Sequence, residues 1–428
     1  MLKLFVYSVI FFLSVEANAD SYDSIKSTTF EKLYNQAVER IKSKTSQIPL
    51  PDDKKRILEA DNRYYLKITA KDKYERTKLL ELGVDIFSIS DSYVEGTIPG
   101  ELLGGIEKEF SILERKPLSL WISENKDFPP QDSAYHNYNE TYQALKELSQ
   151  KYSDIAYLFS IGKSYEGRDI WALRINTTQK GLEQSKKPGI LLVGNHHARE
   201  HLTNEMVLLF AAYLLDNRDS YRDYIDKLDI YIIPMLNPDG VEYDIKTGDY
   251  KWWRKNTNKL DTSSIIGVDL NRNYDFEWCK SGSSHYQQSD VYCGKSVFSE
   301  PETKALRDFL LQRRNIKTSL SYHSYASLVL YPWGGRDEPV SDEKDRAAFI
   351  KHANEMAKLL GYKAEQSSEL YIASGDMCDW AYDRLKILAF TIELEGKSFY
   401  PGASIIQSAF EKNKKAIVYL MGVTENPY

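Results

Sequence analysis

Apolar and polar positions follow regular periods along most of the chain and predict a small folded unit before a larger one. Residues 64–69 alternate as a half-buried strand does, and residues 72–82 have the spacing of a helix that ends at a glycine. A strand-like run at 84–90 follows, and one more helix and strand are predicted over residues 101–113. Together with a polar, helical lead-in at residues 21–57, this order predicts a small α+β unit.

The larger unit begins after a proline-containing connector at residues 116–132, and we place the boundary at residues 127/128. It opens with an amphipathic helix at residues 139–151, for which we predict Asn139 as the N-cap. The further predicted strands are 155–161, 171–175, 189–193, 230–234, 318–322 and 387–393, and the further helices are 204–216, 301–313, 345–360 and 405–421. This alternation predicts an α/β domain whose mixed, mostly buried central sheet is flanked by helices.

Size and composition agree with two folded units. The chain has 428 residues, which exceeds the length at which one hydrophobic core stops growing. Hydrophobic residues make up 42% and charged residues 28%, as in soluble globular proteins. The net charge of −6, without a long run of Lys or Arg, gives no electrostatic basis for binding nucleic acid.

The N-terminus has the form of an export signal. Lys3 precedes an apolar run at residues 4–13, and the small residues Ala17 and Ala19 mark a cleavage site. An N-terminal membrane anchor is the alternative, but the run is shorter than the roughly 20 residues that span a bilayer. We therefore predict a signal peptide at residues 1–19 and a secreted or periplasmic mature chain without stable membrane insertion.

The cysteines fit an oxidising compartment. Cys279 and Cys293 flank a loop rich in Gly and Ser, which a disulfide between them would close. Two free thiols are the alternative interpretation. If these two pair, Cys378 is left over, because the chain has three cysteines.

The densest chemical signal lies at residues 194–201, directly after the apolar run 189–193 and directly before a predicted helix. Open α/β sheets place their sites where a strand ends and a helix begins. There His197 and Glu200, three residues apart, can offer a nitrogen and an oxygen to one Zn²⁺. Taken alone, such a pair is more often a chance pairing of surface residues.

A second interpretation uses His201 as well. The order His197, Glu200, His201 satisfies a motif in which both histidines bind zinc and the glutamate acts as base. That motif requires a continuous helix beneath both histidines. Gly194 and Asn195 argue against a helix at this place, so the rest of the chain has to decide.

Five further motifs follow in a fixed order. They are Trp-Trp-Arg-Lys-Asn at 252–256, Val-Asp-Leu-Asn-Arg-Asn-Tyr at 268–274, Ser-Tyr-His-Ser-Tyr at 321–325, Tyr-Ile-Ala-Ser-Gly-Asp at 371–376 and Phe-Thr-Ile-Glu-Leu at 390–394. With them the chain resembles the carboxypeptidase A/B family of zinc metallopeptidases, from about residue 135 to the C-terminus. The resemblance implies a hydrolase that releases C-terminal residues from peptides and proteins.

The resemblance also implies one Zn²⁺ per chain and a set of catalytic residues. The implied metal ligands are His197, Glu200 and His323. Asp269 is expected to orient His197 through the second ring nitrogen. Glu393 matches the general base, and Arg254 matches the residue that stabilises the oxyanion. His201 takes no part in this interpretation.

Residues for the substrate are implied in the same way. Asn271, Arg272 and Tyr371 match the group that holds the terminal carboxylate, while Arg199 and Tyr325 match contacts further along the cleft. Such a clamp distinguishes an exopeptidase from an endopeptidase, which has no need to bind a free carboxylate.

The pocket for the C-terminal side chain gives a mixed signal. Its base matches Cys378, where the family has an apolar or an acidic residue. Asp376 lies two residues earlier, at a position that is acidic in some microbial relatives of mixed specificity, and Thr391 and Gly334 are expected to line the same pocket. We hypothesise that C-terminal Arg and Lys are accepted along with apolar residues.

Residues 20–127 lie where the family carries a propeptide. The hypothesis is that this α+β unit covers the cleft and keeps a zymogen latent, with a permanent accessory domain as the alternative. Two rival functions are a catalytically inactive peptide-binding relative and an amidohydrolase acting on cell-wall peptides or acylated substrates. We expect a monomer.

Overall fold

The computed structural model describes residues 62–118, 132, 134–179, 181–245, 250–260 and 264–428. The predicted signal peptide, the helical lead-in and the domain boundary at 127/128 lie outside these residues and stay predictions. No helix of the part described is long and apolar enough to cross a membrane.

The first described unit is a four-stranded antiparallel sheet with two α-helices. Its elements are β1 (Arg63–Thr69), α1 (Lys73–Glu81), β2 (Asp85–Ile89), β3 (Tyr93–Pro99), α2 (Leu103–Glu109) and β4 (Ile112–Pro117), and the strand order is β2-β3-β1-β4. Strand β3 was missed because Gly96 and Pro99 are poor strand formers. Gly96 is required there, since a Cβ at this position would lie 2.7 Å from the carbonyl oxygen of Asp85 on β2.

The second described unit contains an eight-stranded mixed sheet with helices around it. The strands are β5 (Ala156–Lys163), β6 (Asp169–Ile175), β7 (Gly189–Val193), β8 (Asp229–Ile233), β9 (Ile316–Ser324), β10 (Leu328–Tyr331), β11 (Lys363–Gln366) and β12 (Leu388–Leu394). The helices are α3 (Tyr138–Lys151), α4 (His201–Asp216), α5 (Arg222–Lys227), α6 (Pro238–Ile245), α7 (Pro301–Gln312), α8 (Glu343–Leu360), α9 (Ser367–Leu370), α10 (Met377–Leu385) and α11 (Ile405–Val423). The strand order is β11-β10-β12-β9-β7-β8-β6-β5.

The four central strands β12, β9, β7 and β8 run parallel. Every residue of β7 and β8 is buried, as expected for continuous apolar strands that are covered on both faces. The core that these strands share with the surrounding helices is large, whereas the first unit has a separate, smaller core. The predicted fold class is therefore confirmed.

The N-cap prediction for the helix at 138–151 was wrong. Asn137 caps α3: its side chain accepts a hydrogen bond from the Glu140 amide, and the Glu140 carboxylate accepts one from the Asn137 amide. This reciprocal capping box satisfies two amides of the first turn at once, and Asn139 already lies inside that turn.

The parallel strands bring several polar side chains to one edge of the sheet. Val193, the last residue of β7, lies opposite Ser321 on β9, and His323 on β9 lies opposite Glu393 on β12. The crevice beyond the carboxyl ends of such strands is the usual place for a site. Strand β2 of the first unit lies over this crevice, since residues Ile86 to Ile89 line its cavity.

Candidate active site

His197, Glu200 and His323 meet at the carboxyl edge of the central sheet. The Nδ1 atom of His197 lies 2.8 Å from Glu200 Oε1, and the Nδ1 atom of His323 lies 3.1 Å from Glu200 Oε2. The two Nδ1 atoms are 3.1 Å apart, and all three side chains are buried. Two imidazole nitrogens and one carboxylate oxygen, converging in this way, fit a zinc ion and leave a coordination position open.

The turn that carries His197 and Glu200 is held by the local sequence. Asn195 has a positive φ of 48°, and its side-chain amide donates to the carbonyls of His197 and Glu200. Gly194 is required because a Cβ there would lie 2.5 Å from the carbonyl oxygen of Pro234. Helix α4 begins only at His201, so no continuous helix runs beneath His197.

Neighbouring side chains set the protonation of the acidic groups in this cluster. Burial by itself raises the pKa of Glu200, but His197 and His323 outweigh that effect and hold the pKa below its usual range. Burial opposes ionisation of Asp269 as well, and there Arg254 and His197 hold the pKa well below that of an ordinary aspartate. Both carboxyl groups are therefore anionic at neutral pH.

Asp269 connects Arg254 to the candidate metal-ligand group, which consists of His197, Glu200 and His323. Its Oδ1 lies 3.2 Å from His197 Nε2, and its Oδ2 accepts a hydrogen bond of 2.9 Å from Arg254 Nε. The side chain of Asp269 is completely buried, so Asp269 is not a residue of an exposed surface turn. Because the Nε2 proton of His197 points to a carboxylate, the Nδ1 lone pair is directed at the ligand cluster.

Glu393 faces the same cavity from β12. Burial, with a further contribution from the negative charge of Glu200, raises the pKa of Glu393 to about 8. Glu395, two residues further on, is instead paired with Tyr362 and Lys412. Of these two glutamates only Glu393, which the family resemblance had indicated as the general base, lines the cavity.

Arg254 lies on an extended loop and is nearly buried. Besides its bond to Asp269, its Nη1 atom lies 3.5 Å from Asp85 Oδ1 of the first unit. Burial lowers the pKa of Arg254, but Asp269 and Asp85 outweigh burial and raise it, so the guanidinium stays charged. It is not one of a solvated cluster of basic side chains.

The predicted carboxylate clamp lines the same cavity of about 440 Å³. A short 3-10 helix (Leu270–Arg272) carries Asn271 and Arg272, and Asn271 Oδ1 accepts a hydrogen bond of 3.0 Å from the Met377 amide. Arg272 is anchored by donating from Nε to the Gly282 carbonyl at 3.0 Å. The predicted residues that line the cavity are His197, Glu200, Arg254, Asn271, Arg272, His323, Tyr325, Gly334, Tyr371, Asp376, Thr391 and Glu393.

Asp376 lines the predicted side-chain pocket, and a second aspartate, Asp379, is buried next to it. Asp376 caps α10 by accepting from the amides of Cys378 and Asp379, and Asp379 accepts from the amides of Gly334 and Gly335. Burial raises the pKa of both carboxyl groups, and the charge of Asp376 raises that of Asp379 further. Sequence reasoning missed Asp379, although its spacing of three from Asp376 at a helix start was a signal.

Cys378 is buried beside this pair. Its Sγ atom lies 3.3 Å from Thr391 Oγ1, and it forms no disulfide. Cys279 and Cys293 are joined by a disulfide that closes the loop between them.

Arg199 and His201 lie outside the cavity. Arg199 is fully buried, pairs with Asp85 and lies 3.9 Å from the ring centre of Phe399. His201 Nε2 pairs with Asp244 Oδ2 of α6 at 2.9 Å. His201 therefore lies outside the group formed by His197, Glu200 and His323.

Strand β2 makes contacts that the sequence did not predict. Asp85 reaches both Arg199 and Arg254, and the Phe87 ring packs against Trp252 and Phe399 with centroid distances of 5.7 and 6.0 Å. These partners are more than a hundred residues away along the chain, so no local pattern could have indicated them.

Helix α1 of the first unit holds the segment that carries Tyr371. Arg76 donates to the carbonyls of Leu370 and Glu369 at 2.6 and 2.9 Å, and the Ile372 amide donates to Thr77 Oγ1 at 2.8 Å. Tyr371 itself packs against the core of the first unit. The position of this phenol is therefore tied to the first unit.

The fold and the site together define a class of protein. Two histidines and a carboxylate at the carboxyl edge of a mixed α/β sheet, open to a cavity with a buried glutamate, form the arrangement of a catalytic zinc in a hydrolase. The zinc carboxypeptidase family, Peptidase_M14, matches residues 141–416, and the chain belongs to this family.

Known proteins of the family support the assignment. The chain is 31% identical over 391 residues to a zinc carboxypeptidase of Saccharothrix mutabilis subsp. capreolus, covering 85% of this chain and 89% of that protein. It is 33% identical to carboxypeptidase A1 of Homo sapiens, covering 69% and 72%. The crystal structure of carboxypeptidase A from Helicoverpa armigera has the same fold, with a TM-score of 0.71, 23% identity and coverage of 85% and 98%. The chain is thus a hydrolase of the exopeptidase class.

Proposed function

We propose that this protein removes single residues from peptide and protein C-termini with one Zn²⁺ held by His197, Glu200 and His323. The observation that carries the proposal is the content of one cavity. The three ligand side chains, the buried Glu393 and the clamp residues Asn271 and Arg272 all line it.

The chain's own residues divide the reaction among them. Bound Zn²⁺ supplies acidification of water and polarisation of a carbonyl. Glu393 takes the proton of the attacking water and passes it to the leaving amine, since a carboxyl group with a pKa near neutrality can both accept and donate. Arg254 donates to the oxygen that becomes negative as the scissile carbonyl is attacked.

Recognition of the free terminus sets the position of cleavage. Arg272 offers a planar cation for the terminal carboxylate, Asn271 offers an amide and Tyr371 a phenol. A substrate anchored in this way presents its last peptide bond to the metal, which favours ordinary C-terminal amino acids over the cell-wall amide substrates of an amidohydrolase. The presence of His197, Glu200, His323 and Glu393 together argues against an inactive binding relative.

The pocket base supports acceptance of basic residues. Asp376 lines the cavity and shares its buried surroundings with Asp379. Because two adjacent carboxylates repel each other, one proton is retained and one negative charge remains at the base. Cys378 and Thr391 add a small, weakly polar wall, so Arg, Lys and apolar side chains are all proposed substrates.

The first unit is proposed to keep the protein latent until the connector is cleaved. Its strand β2 lies along the cavity, and Asp85 engages Arg254, which is the proposed oxyanion donor. Export through a signal peptide at residues 1–19 and a monomeric state complete the proposal. Neither export nor a monomeric state is required for the proposed hydrolysis of the peptide bond.

The test measures free amino acid released from peptides that end in Arg, Lys, Phe, Leu or Glu, using protein cleaved in the connector. We expect release that stops with a zinc chelator, with C-terminal amidation of the peptide and with Glu393→Gln. Loss of a positioned general base lowers the rate by about 10²–10⁴-fold. The matched control is Glu395→Gln, which we expect to stay close to wild type.

Three outcomes would contradict parts of this proposal. Equal cleavage of amidated peptides would exclude an exopeptidase that reads the free carboxylate. If peptides ending in Arg and Lys were turned over no faster than those ending in Glu, the proposed pocket charge would be wrong. An inactive but zinc-loaded protein would favour the binding relative.

A further inference from the structure

The two histidines of the metal-ligand group differ in what holds their second ring nitrogen. His197 Nε2 faces the carboxylate of Asp269, as described above. His323 Nε2 lies 3.2 Å from the hydroxyl oxygen of Ser321, two residues earlier on β9. Residues two apart on a strand face the same side, so the serine and the histidine are neighbours by the geometry of the strand.

The contacts continue beyond Ser321 into the core. Ser321 Oγ lies 3.3 Å from His196 Nδ1, and His196 Nε2 lies 3.1 Å from Tyr274 Oη. The ring of His196 stacks on that of His323 with a centroid distance of 5.4 Å and an interplanar angle of 23°. Ser321 is 1% exposed, and His196 and Tyr274 are not exposed at all.

Proton positions in this row follow from one constraint. His323 directs Nδ1 at Glu200 and His197, so its neutral ring carries the proton on Nε2 and donates to Ser321 Oγ. The serine hydroxyl then has its own hydrogen free to donate to His196 Nδ1. His196 in turn carries its proton on Nε2 and donates to Tyr274 Oη. Every hydrogen bond in this row is thus donated in the direction from His323 to Tyr274. Each ring nitrogen of His323 and His196 has a hydrogen-bond partner.

We propose that Ser321, His196 and Tyr274 form a hydrogen-bonded relay that orients His323 as a metal ligand. These three are positioning residues, and the inference rests on the metal site of the proposed function. The relay fixes the tautomer and the ring angle of His323 with neutral groups, whereas Asp269 does so for His197 with a charge. Hydrogen-bond partners behind a metal ligand raise affinity because the ligand is oriented before the metal arrives.

The test compares zinc affinities of the metal-free full chain by competition with a chromogenic chelator. We expect Ser321→Ala to weaken zinc binding by about 10–100-fold, the range found when such partners are removed. Ser321→Thr keeps a hydroxyl and is expected to recover most of the affinity. His196→Phe preserves the ring packing but removes the second link, so its loss is expected to be smaller.

Ser319 provides a matched control on the same face of β9. It is as buried as Ser321, and its hydroxyl has no hydrogen-bond partner within the part of the chain described. Ser319→Ala is expected to leave zinc affinity within about twofold of wild type, because no partner of a metal ligand is lost. Thermal unfolding of both alanine variants without metal separates a general loss of packing from a loss at the metal.

The outcomes separate two claims, namely the proposed metal site and the proposed relay. If wild type fails to bind one Zn²⁺, the proposed metal site is wrong and the relay with it. If wild type binds and the Ser321→Ala and Ser319→Ala variants bind equally well, the relay alone is wrong. Should Ser321→Ala fail to fold, His196→Phe carries the test, and unchanged affinity in that variant would overturn the relay.

Discussion

The two sides of the crevice are held in different ways. The metal side, which consists of the proposed ligands His197, Glu200 and His323 together with Glu393, is positioned by the ends of β7, β9 and β12 and by partners in the second unit. The cover side, which consists of Arg254 and the segment around Tyr371, contacts Asp85, Arg76 and Thr77 of the first unit. The metal side is thus built by the second unit alone, while the cover side depends on both units.

This difference suggests that metal binding and turnover are separable. A first unit that engages only the cover side is expected to control access and oxyanion stabilisation without changing the metal ligands. Arg254 is the residue at which the two sides meet, because it bonds both to Asp269 and to Asp85. The predictions below address this contrast.

The largest effect is expected at Arg254. In the cleaved protein, Arg254→Gln is expected to lower kcat by about 10²–10³-fold, because one donor to the oxyanion is removed. Steady-state kinetics on a peptide ending in Arg measure the loss. Lys251→Gln in the same basic stretch serves as the control, and an equal loss there would mean that general positive charge matters rather than the donor.

A smaller effect is expected at Asp85. In the uncleaved chain, Asp85→Asn is expected to raise the residual peptidase activity by about tenfold or more, because charge-assisted bonds to two arginines are weakened. The assay compares uncleaved variant and uncleaved wild type at equal zinc content. Glu95→Gln on the neighbouring strand β3, which is paired with Lys67, is the control. If uncleaved Asp85→Asn were as inactive as uncleaved wild type, the contacts of Asp85 with the two arginines would play no part in latency.

A change of specificity is expected at the pocket base. Asp376→Asn is expected to lower kcat/KM for peptides ending in Arg relative to those ending in Phe by about tenfold, since it removes the negative charge that is proposed to pair with a basic side chain. The ratio of the two constants is the measurement, and zinc affinity should not change. If the ratio stays constant, either Asp379 carries the negative charge of the pocket or the pocket carries no such charge.

The smallest effect concerns the support beneath the Arg254 loop. Asn256 donates to both Glu300 and Glu302, and burial raises the pKa of Glu302 to about 8. A glutamate whose pKa is raised by folding contributes stability that is fully present below the ordinary pKa of 4.5 and is lost as pH rises through about 8.

Glu302→Gln is therefore expected to remove part of the decline in unfolding free energy between pH 6 and pH 9, on the order of 1 kcal/mol. Denaturant unfolding at the two pH values measures it. Glu355→Gln on the exposed face of α8 is the control, and a decline that persists unchanged in Glu302→Gln would contradict the assigned protonation.

Local pattern carried much of the fold because the decisive elements are local. The strands at 189–193 and 387–393 are mostly apolar runs, and the strand at 318–322 alternates Ser319 and Ser321 with Leu320 and Tyr322. His197 and His323 follow the first and second of these strands in chain order, and Glu393 ends the third. Strand β3 and the short strands β10 and β11 were not predicted. Four-residue strands such as β10 depend on pairing with neighbours rather than on an internal period.

By itself the sequence determined the α/β class, the family and the order of the chemical motifs, because each is a property of neighbouring residues. Only the tertiary structure decided that Asp379 joins Asp376, and that Ser321 and His196 stand behind His323. It also decided that Asp85 reaches Arg199 and Arg254. These are contacts between segments far apart along the chain, and their partners are set by strand register and domain packing, which no local period encodes.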